Sequence, residues 1–407
     1  MPQNPVQLKR SLSLPVITFY GLGTIVGAGI YVLIGKVAGL AGDKLAFAFV
    51  VAGIIAAFSA LSYAEMASRF PRSAGEALYV EKAFGSARLA RLVGWLVVLT
   101  GIVSAATIAN GFTGYLALFL TMPAPLAITL LVLLLGGIAA WGIKQSALVV
   151  VAVTLAEIGG LLYVTSAGIG APEARPIGVA LALPLSGEII GISLGAFLAF
   201  FAFIGFEDMV NLVEEVKNPR RVLPIAILLA ITIAVLLYIS VALVALYALP
   251  AEALAASDAP LAAIVEAAGY SAGPIAFVSL IAVVNGALVQ IIMASRVIYG
   301  MARQGIAYAR LGQVAEVTQT PLLATGLVTA TVLGFALWLP LTTLAQLTSF
   351  IVLLVFALVN IGLVLIKRRG QGLDSAETEP PQFEVPMWVP VIGALLCAAL
   401  LVFRLMF

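Results

Sequence analysis

The sequence contains no histidine and one cysteine, Cys397, which lies inside a late apolar segment. A disulfide framework is therefore excluded, and the side chains that usually hold haem, zinc or copper are missing. We accordingly expect no metal and no cofactor. The chain also has no glycine-rich phosphate loop to couple ATP and no nucleophile–base pair, so we expect that it is not an enzyme.

Charged residues are scarce as well. They make up 10% of the 407 residues, whereas 63% are hydrophobic and the mean hydropathy is +1.17. So few polar side chains could not cover the surface of a soluble protein of this size. A helix that crosses a bilayer needs about 20 apolar residues, and the sequence offers many such runs. We therefore predict an all-α integral membrane protein that forms a single transmembrane domain, with lipid as its surroundings and no nucleic-acid partner.

The apolar runs predict eleven membrane spans. They lie at residues 14–41, 45–69, 92–120, 124–142, 147–170, 188–213, 224–249, 274–301, 321–339, 342–366 and 387–406. Between them, residues 260–268 have the pattern of a short amphipathic helix, and the polar, proline-containing loop 370–384 is typical of a flexible linker.

The distribution of lysine and arginine predicts the orientation. If residues 1–13 are cytoplasmic, 17 of the 21 basic residues fall inside, and the outer set is Lys36, Lys44, Arg175 and Arg404. Cytoplasmic loops carry such an excess of basic residues. An odd number of spans then places the C-terminus outside. We expect the protein in the cell membrane, the inner or plasma membrane.

Four glycines cluster in the middle of the first span, in the stretch Gly21-Leu-Gly-Thr-Ile-Val-Gly-Ala-Gly-Ile-Tyr31. Each glycine inside a helix costs up to about 1 kcal/mol relative to alanine. Irregular backbone at this depth is tolerated where it is buried in protein or lines a cavity. The cluster therefore predicts an unwound break over residues 24–29 that faces a ligand. Close packing of helices through small residues is the alternative.

The sixth span has a second irregularity. Gly205 follows a run of aromatic residues, and Glu207 and Asp208 come directly after it. An aspartate at the centre of a span costs about 2.5–3.5 kcal/mol on insertion scales, so acidic residues here are functional candidates. Alternatively, the span ends early and both acids lie at the cytoplasmic interface. Breaks at matching positions of two halves, spans one and six, indicate an inverted-repeat transporter with its site at mid-membrane.

These stretches resemble the amino acid–polyamine–organocation transporter superfamily, and most of all its prokaryotic amino acid permeases. The resemblance rests on GLGTIVGAGIY at residues 21–31, SYAEMASRFPRSAGE at 62–76, FFAFIGF at 200–206, EEVKNPRR at 214–221 and ASRVIYGMARQG at 294–305. They occur in the family's order and cover most of the chain, which makes the match specific for the family but much less so for the substrate.

The resemblance implies the five-plus-five inverted-repeat fold of the leucine transporter. Residues 14–170 would form the first repeat, 188–366 the second, and 387–406 an extra helix. Most relatives have twelve spans, so the eleven predicted here leave the contacts of an oligomer open, and we expect a monomer or a homodimer.

The resemblance also implies a substrate site. The backbone around Gly27, Ala28 and Gly29 would bind the carboxylate of an amino acid, because the N-terminus of a half-helix carries unsatisfied N–H groups. Free carbonyls would bind the ammonium group; the positions that match are Ile25, Phe201, Ala202 and Ile204. Phe201 would close over the substrate and Phe203 would form a neighbouring wall, and for both rings plain core packing is the alternative.

In the fifth span, the position of the family's usual lysine falls on Glu157. A carboxyl group in an apolar setting tends to hold its proton, so Glu157 is a candidate proton carrier or sodium ligand, with Glu207 and Asp208 as further coupling candidates. The alternative is a structural hydrogen bond from Glu157 to Asn285, Gln290 or Ser295.

We therefore expect a secondary active transporter of amino acids, coupled to protons or acting by exchange. Small or medium apolar amino acids are favoured by the apolar walls, and a cationic amino acid or a polyamine is the alternative substrate. A channel is the second class to test, although no rings of like residues on pore-lining helices are visible.

Overall fold

The computed structural model describes residues 10–72, 75–142, 147–172, 175–315, 317–369 and 381–407. The α-helices in these ranges are α1 Leu14–Val26, α2 Ala28–Ala41, α3 Leu45–Arg69, α4 Gly75–Phe84, α5 Ala87–Leu116, α6 Ala124–Trp141, α7 Ala147–Ile169, α8 Ile177–Leu181, α9 Ile189–Ala199, α10 Pro219–Ala248, α11 Ala251–Ala256, α12 Pro260–Ala267, α13 Gly273–Arg303, α14 Leu322–Trp338, α15 Leu341–Arg368 and α16 Trp388–Met406. These residues form no β-strand, as the sequence predicts.

Nine stretches of the described residues are long and apolar enough to cross a membrane. The first, Leu14–Arg69, is 56 residues long and contains α1, α2 and α3. Helix α14 is apolar but has only 17 residues. The protein is thus a multi-pass membrane protein, while the count of eleven spans stays a prediction.

Two long helices begin earlier than the predicted spans. Helix α5 begins at Ala87 where the span is predicted from residue 92, and α10 begins at Pro219 where it is predicted from residue 224. The additional turns carry arginines, two in each case. A search for apolar runs stops at such residues, whereas the helical hydrogen bonding continues through them.

The first span is broken at one residue. Helix α1 ends at Val26, α2 begins at Ala28, and Gly27 between them has φ −34° and ψ −116°. The predicted break over residues 24–29 is therefore too long. Its N-terminal part stays helical up to Gly27, whose N–H still donates to the carbonyl of Gly23 at 3.2 Å.

The sixth span is broken over a longer stretch. Helix α9 ends at Ala199, a 3₁₀ segment follows at Phe200–Phe203, and a second one runs over Glu207–Glu215. Gly205 between them has φ +134°, a conformation that residues with a side chain rarely adopt. The α-helical hydrogen bonding is thus lost just before the acidic pair.

The two breaks lie against each other. The Thr24 hydroxyl donates to the carbonyl of Gly205 at 3.0 Å. A Cβ atom on Gly205 would come within 2.6 Å of the carbonyl carbon of Thr24, and one on Gly29 would collide with the Cα atom of Ala202. Glycine is therefore required at both positions, because the broken backbones touch directly.

The remaining helices hold this pair in place. Helix α1 packs against α7 and α10, α2 packs against α9, and α5 packs along α13. Before α1, Leu12 exchanges backbone hydrogen bonds with Glu215 and Lys217, both at 2.9 Å. The start of the first broken span is thereby joined to the end of the second.

Three short helices, α4, α8 and α11, have no counterpart among the predicted elements, whereas α12 matches the predicted helix at residues 260–268. The predicted linker 370–384 lies mostly outside the described residues. Its described end is attached to α3, because Arg69 contacts Glu384 at 2.9 Å and the buried Glu65 accepts from the N–H of Val385 at 2.8 Å.

Candidate functional site

A cavity lies where the two broken spans face α5 and α13. The space in it that a water molecule can occupy is about 30 Å³, and the atom-free space between its wall residues, open side included, is about 430 Å³. Its wall is formed by Gly23, Thr24, Ile25, Gly29, Ser104, Ile108, Phe201, Ile204, Asn285, Gly286, Val289 and Gln290. None of these residues is charged, so the cavity offers backbone groups, four polar uncharged side chains and apolar walls.

Four of the predicted binding residues lie in this wall: Ile25, Gly29, Phe201 and Ile204. Gly27 forms the break, and Ala28 begins α2. The first N–H groups of α2 have no acceptor within the helix, and Gly29 brings this helix start to the cavity. Such N–H groups suit a carboxylate, and the carboxylate site implied by the family resemblance stays a prediction.

Ala202 and Phe203 lie behind the wall rather than in it. Ala202 is pressed against Gly29. The ring of Phe203 is fully buried and packs against Phe49 and Tyr238, with ring centroids 6.4 and 5.0 Å apart. These contacts are those of a residue packed in the core. The 3₁₀ turn directs Phe201 to the cavity and Phe203 to the opposite side.

Tyr238 of α10 contacts the backbone of both broken spans. Its hydroxyl lies 2.7 Å from the carbonyl oxygen of Ile25 and 2.9 Å from that of Ala202, and its one proton is shared between these two acceptors. These are two of the carbonyls predicted to bind an ammonium group, and each keeps an acceptor position because a carbonyl oxygen has two lone pairs. Sequence reasoning missed Tyr238, although a tyrosine in the middle of an apolar span needs a hydrogen-bond partner.

Glu157 of α7 is fully buried beside α1. Neither of its carboxylate oxygens has a hydrogen-bond partner among the described residues. Its Oε2 faces Gly23, where an added Cβ atom would lie 3.8 Å away. Asn285 approaches the carboxylate without reaching hydrogen-bonding geometry. Asn285, one of the three partners predicted for a structural hydrogen bond, thus lies beside Glu157, and this alternative role stays a prediction.

A second cavity adjoins the first and is lined in part by acidic residues. It shares Ile204 and Gln290 with the first cavity, and Glu76, Glu207 and Asp208 lie in its wall. Glu207 is buried and accepts from the N–H of Gly205 at 2.8 Å, so it also stabilises the break. The amide of Gln290 donates to Asp208 at 3.4 Å. The predicted coupling residues Glu207 and Asp208 thus lie together, apart from Glu157.

Sequence reasoning missed Glu76 as a site residue, although it is the last residue of the family stretch at residues 62–76. It lies on α4, outside the membrane-spanning segments, and the Tyr63 hydroxyl donates to it at 3.4 Å. Burial raises the pKa of the Glu76 carboxyl from 4.5 to about 7, and the charge of Asp208 adds to this shift. The short helix α4 thereby brings a third carboxyl group to the acidic cavity.

A multi-pass helical protein with a cavity between two facing helix breaks belongs to the class of membrane transport proteins. A family model described as amino acid permease matches residues 12–407. The chain therefore belongs to the amino acid permease family.

Similar proteins include transporters of several named substrates. The chain is 31% identical over 388 residues to a mitochondrial cationic amino acid transporter 3 of Arabidopsis thaliana, covering 89% of this chain and 63% of the relative. It is 28% identical over 411 residues to a branched-chain amino acid permease of Bacillus subtilis, covering 95% and 86%. A methylthioribose transporter of the same bacterium is 29% identical over 412 residues, covering 96% and 87%.

The chain spans less than two thirds of the length of the Arabidopsis thaliana relative, and more than four fifths of that of the two bacterial relatives. The names of these relatives agree on transport but differ in the substrate. The identity of the substrate therefore has to be argued from the cavity.

Proposed function

We propose that this protein is a secondary active transporter that moves neutral amino acids across the cell membrane by alternating access. Its five-plus-five repeats would comprise residues 14–170 and 188–366, with a cytoplasmic N-terminus. The observation that carries the proposal is the uncharged cavity at the two facing helix breaks. A zwitterion can be bound there by main-chain groups alone, so no charged side chain is needed.

In this site the substrate carboxylate binds the N–H groups at the start of α2, at Ala28 and Gly29, next to the break at Gly27. The ammonium group binds backbone carbonyls beside Ile25. Phe201 closes over the substrate from the wall that it lines. Residues that close over a substrate control access and transport rate more than affinity.

A cationic amino acid or a polyamine is the second candidate substrate, and the acidic cavity favours it. A long substrate could keep its α-groups at the helix breaks and extend past Ile204 and Gln290 towards Glu207 and Asp208. The neutral substrate is preferred because the first cavity has no charged side chain in its wall, and an unpaired buried cation is costly.

Glu157 is the proposed coupling residue. Its carboxylate is buried and unpartnered, and Asn285 lies both beside it and in the cavity wall. Binding of a proton would remove the cost of a buried charge, and binding of sodium would offset it. Through Asn285, a substrate bound in the cavity and a proton or sodium ion bound at Glu157 would affect each other's binding.

Counterflow in sealed liposomes tests the proposed function. Vesicles are loaded with unlabelled leucine, valine, threonine, arginine or putrescine, and uptake of the labelled compound is followed. We expect accelerated uptake with a neutral amino acid on the inside. A channel would show no such acceleration, and acceleration by arginine and putrescine alone would establish the cationic alternative.

A further inference from the structure

One hydroxyl group in the cavity wall has no partner. The side chain of Ser104, on α5, is 2% exposed, and its Oγ makes no hydrogen bond to any described residue. A buried polar group without a partner is unfavourable. The cavity is the space that Ser104 adjoins, so a group bound there is in a position to satisfy it.

Neighbouring hydroxyls of the same helix behave differently. Thr100 donates to the carbonyl of Leu96 at 3.0 Å, and Thr107 donates to that of Val103 at 2.8 Å. A serine inside a helix usually satisfies its hydroxyl in this way. Ser104 leaves its hydroxyl free in the same helix, one turn from each of these threonines.

The remaining unpartnered buried side chains of the described residues are Thr18, Glu157 and Ser349, and none of them lines the cavity. Ser104 is therefore distinguished by two independent observations, its unsatisfied hydroxyl and its place in the wall of the candidate substrate site.

The position of Ser104 identifies the part of the substrate that it meets. On the proposed function, the α-carboxylate and α-ammonium groups lie at the breaks of the first and sixth spans. The substrate side chain then points to the opposite wall, where α5 contributes Ser104 and Ile108 and α13 contributes Asn285, Gly286, Val289 and Gln290. This wall combines three polar, uncharged side chains with two apolar ones.

We propose that Ser104 is a specificity-determining residue that hydrogen-bonds a neutral polar group on the substrate side chain. The substrate class is therefore a neutral amino acid whose side chain carries a hydroxyl or an amide, rather than the purely apolar amino acids that the sequence favours. A hydroxyl both donates and accepts a hydrogen bond, so Ser104 suits either group. This inference rests on the proposed function, because it assumes an amino acid bound at the helix breaks.

Threonine and valine test the inference, since they have nearly the same shape and differ by one hydroxyl. Their half-saturating concentrations are measured in proteoliposomes for the wild type, for Ser104→Ala and for Thr107→Val as the matched control. We expect the wild type to prefer threonine about tenfold, equivalent to about 1.4 kcal/mol. We expect Ser104→Ala to abolish this preference, because the binding of threonine becomes weaker. Thr107→Val should retain the preference.

Equal affinity of the wild type for both compounds would overturn the inference, as would a preference that survives in Ser104→Ala. If Ser104→Ala does not insert into the membrane, Ser104→Cys replaces it in the experiment, because a thiol is a weaker hydrogen-bonding group. A preference of Ser104→Cys for threonine as large as that of the wild type would again contradict the inference. Accelerated counterflow of valine without a preference for threonine retains the proposed function and rejects the role of Ser104. No counterflow by any neutral amino acid rejects both.

Discussion

The hydroxyl of Tyr238 donates to the carbonyl oxygen of Ile25 at 2.7 Å, immediately before the break in the first span. The same hydroxyl lies 2.9 Å from the carbonyl oxygen of Ala202 in the sixth span. One side chain of α10 thus connects the two broken segments. Their backbone carbonyls are buried where no helical partner is left for them, so this hydroxyl is part of what stabilises the breaks.

Replacing this hydroxyl should loosen the site. Tyr238→Phe keeps the ring contacts with Phe49 and Phe203 but leaves both carbonyls without their donor, which we expect to cost about 1–3 kcal/mol of stability and to weaken substrate binding. Thermal unfolding and substrate-induced stabilisation measure the two effects. Tyr115→Phe is the control, because it removes a comparable buried hydrogen bond, to the carbonyl of Tyr31 within α2, but leaves the Ile25 and Ala202 carbonyls their donor and should leave binding intact. Normal binding by Tyr238→Phe would contradict this role.

The direct contact between the breaks predicts intolerance of even one methyl group. Gly29→Ala would collide with the backbone of Ala202, and Gly205→Ala would place a side chain at φ +134° against Thr24. We expect both variants to insert and to lose substrate binding, because the broken backbones are forced apart. Gly159→Ala on α7 is the control, since its added Cβ atom meets nothing within 4 Å. Wild-type uptake by Gly29→Ala would show that the two breaks do not form one site.

The coupling proposal predicts a selective defect in Glu157→Gln. Glutamine imitates the protonated carboxyl and cannot release a proton, so exchange of substrate should persist while accumulation driven by a pH gradient is lost. Uptake into liposomes with an imposed pH or sodium gradient measures this. Glu252→Gln, at an exposed position of α11, is the control and should accumulate substrate normally. If wild-type uptake responds to sodium and ignores the pH gradient, Glu157 is a sodium ligand; if it responds to neither, the protein is an exchanger or a uniporter.

Glu76 predicts how stability depends on pH. Burial raises the pKa of its carboxyl from 4.5 to about 7 in the folded protein, so the folded state binds a proton more tightly than the unfolded state. The contribution of Glu76 to stability is therefore highest below pH 4.5, falls as the pH rises to about 7, and is constant above that value. The full change is about 3 kcal/mol.

Glu76→Gln should remove this dependence, so that above pH 7 the variant is more stable than the wild type. Thermal unfolding between pH 4 and pH 8 measures the two slopes. Glu81→Gln, an exposed position on the same helix, is the control and should retain the wild-type slope. Parallel pH profiles for Glu76→Gln and the wild type would refute the assignment.

Part of the site follows from local sequence. A glycine cluster inside an apolar run marks a break because glycine is costly in a helix, and the structure has its break at Gly27, inside the predicted stretch. Ile25, Gly29, Phe201 and Ile204 were transferred from the family resemblance, and all four line the cavity. Phe203 was transferred in the same way and lies behind it, because the direction of a side chain in a 3₁₀ turn depends on what packs against each side.

The sequence by itself determined that this chain is a multi-pass helical membrane protein of the amino acid permease family, because apolar length and short ordered motifs are local properties. Only the tertiary structure decided that Tyr238 joins Ile25 to Ala202. Tyr238 and Ile25 are 213 residues apart in the sequence. The tertiary structure likewise decided that Ser104, which lines the cavity, is the one of three nearby hydroxyl residues on α5 whose hydroxyl has no partner among the described residues. Hydrogen-bond partners at such sequence separations depend on which helices pack together, and no local pattern encodes that choice.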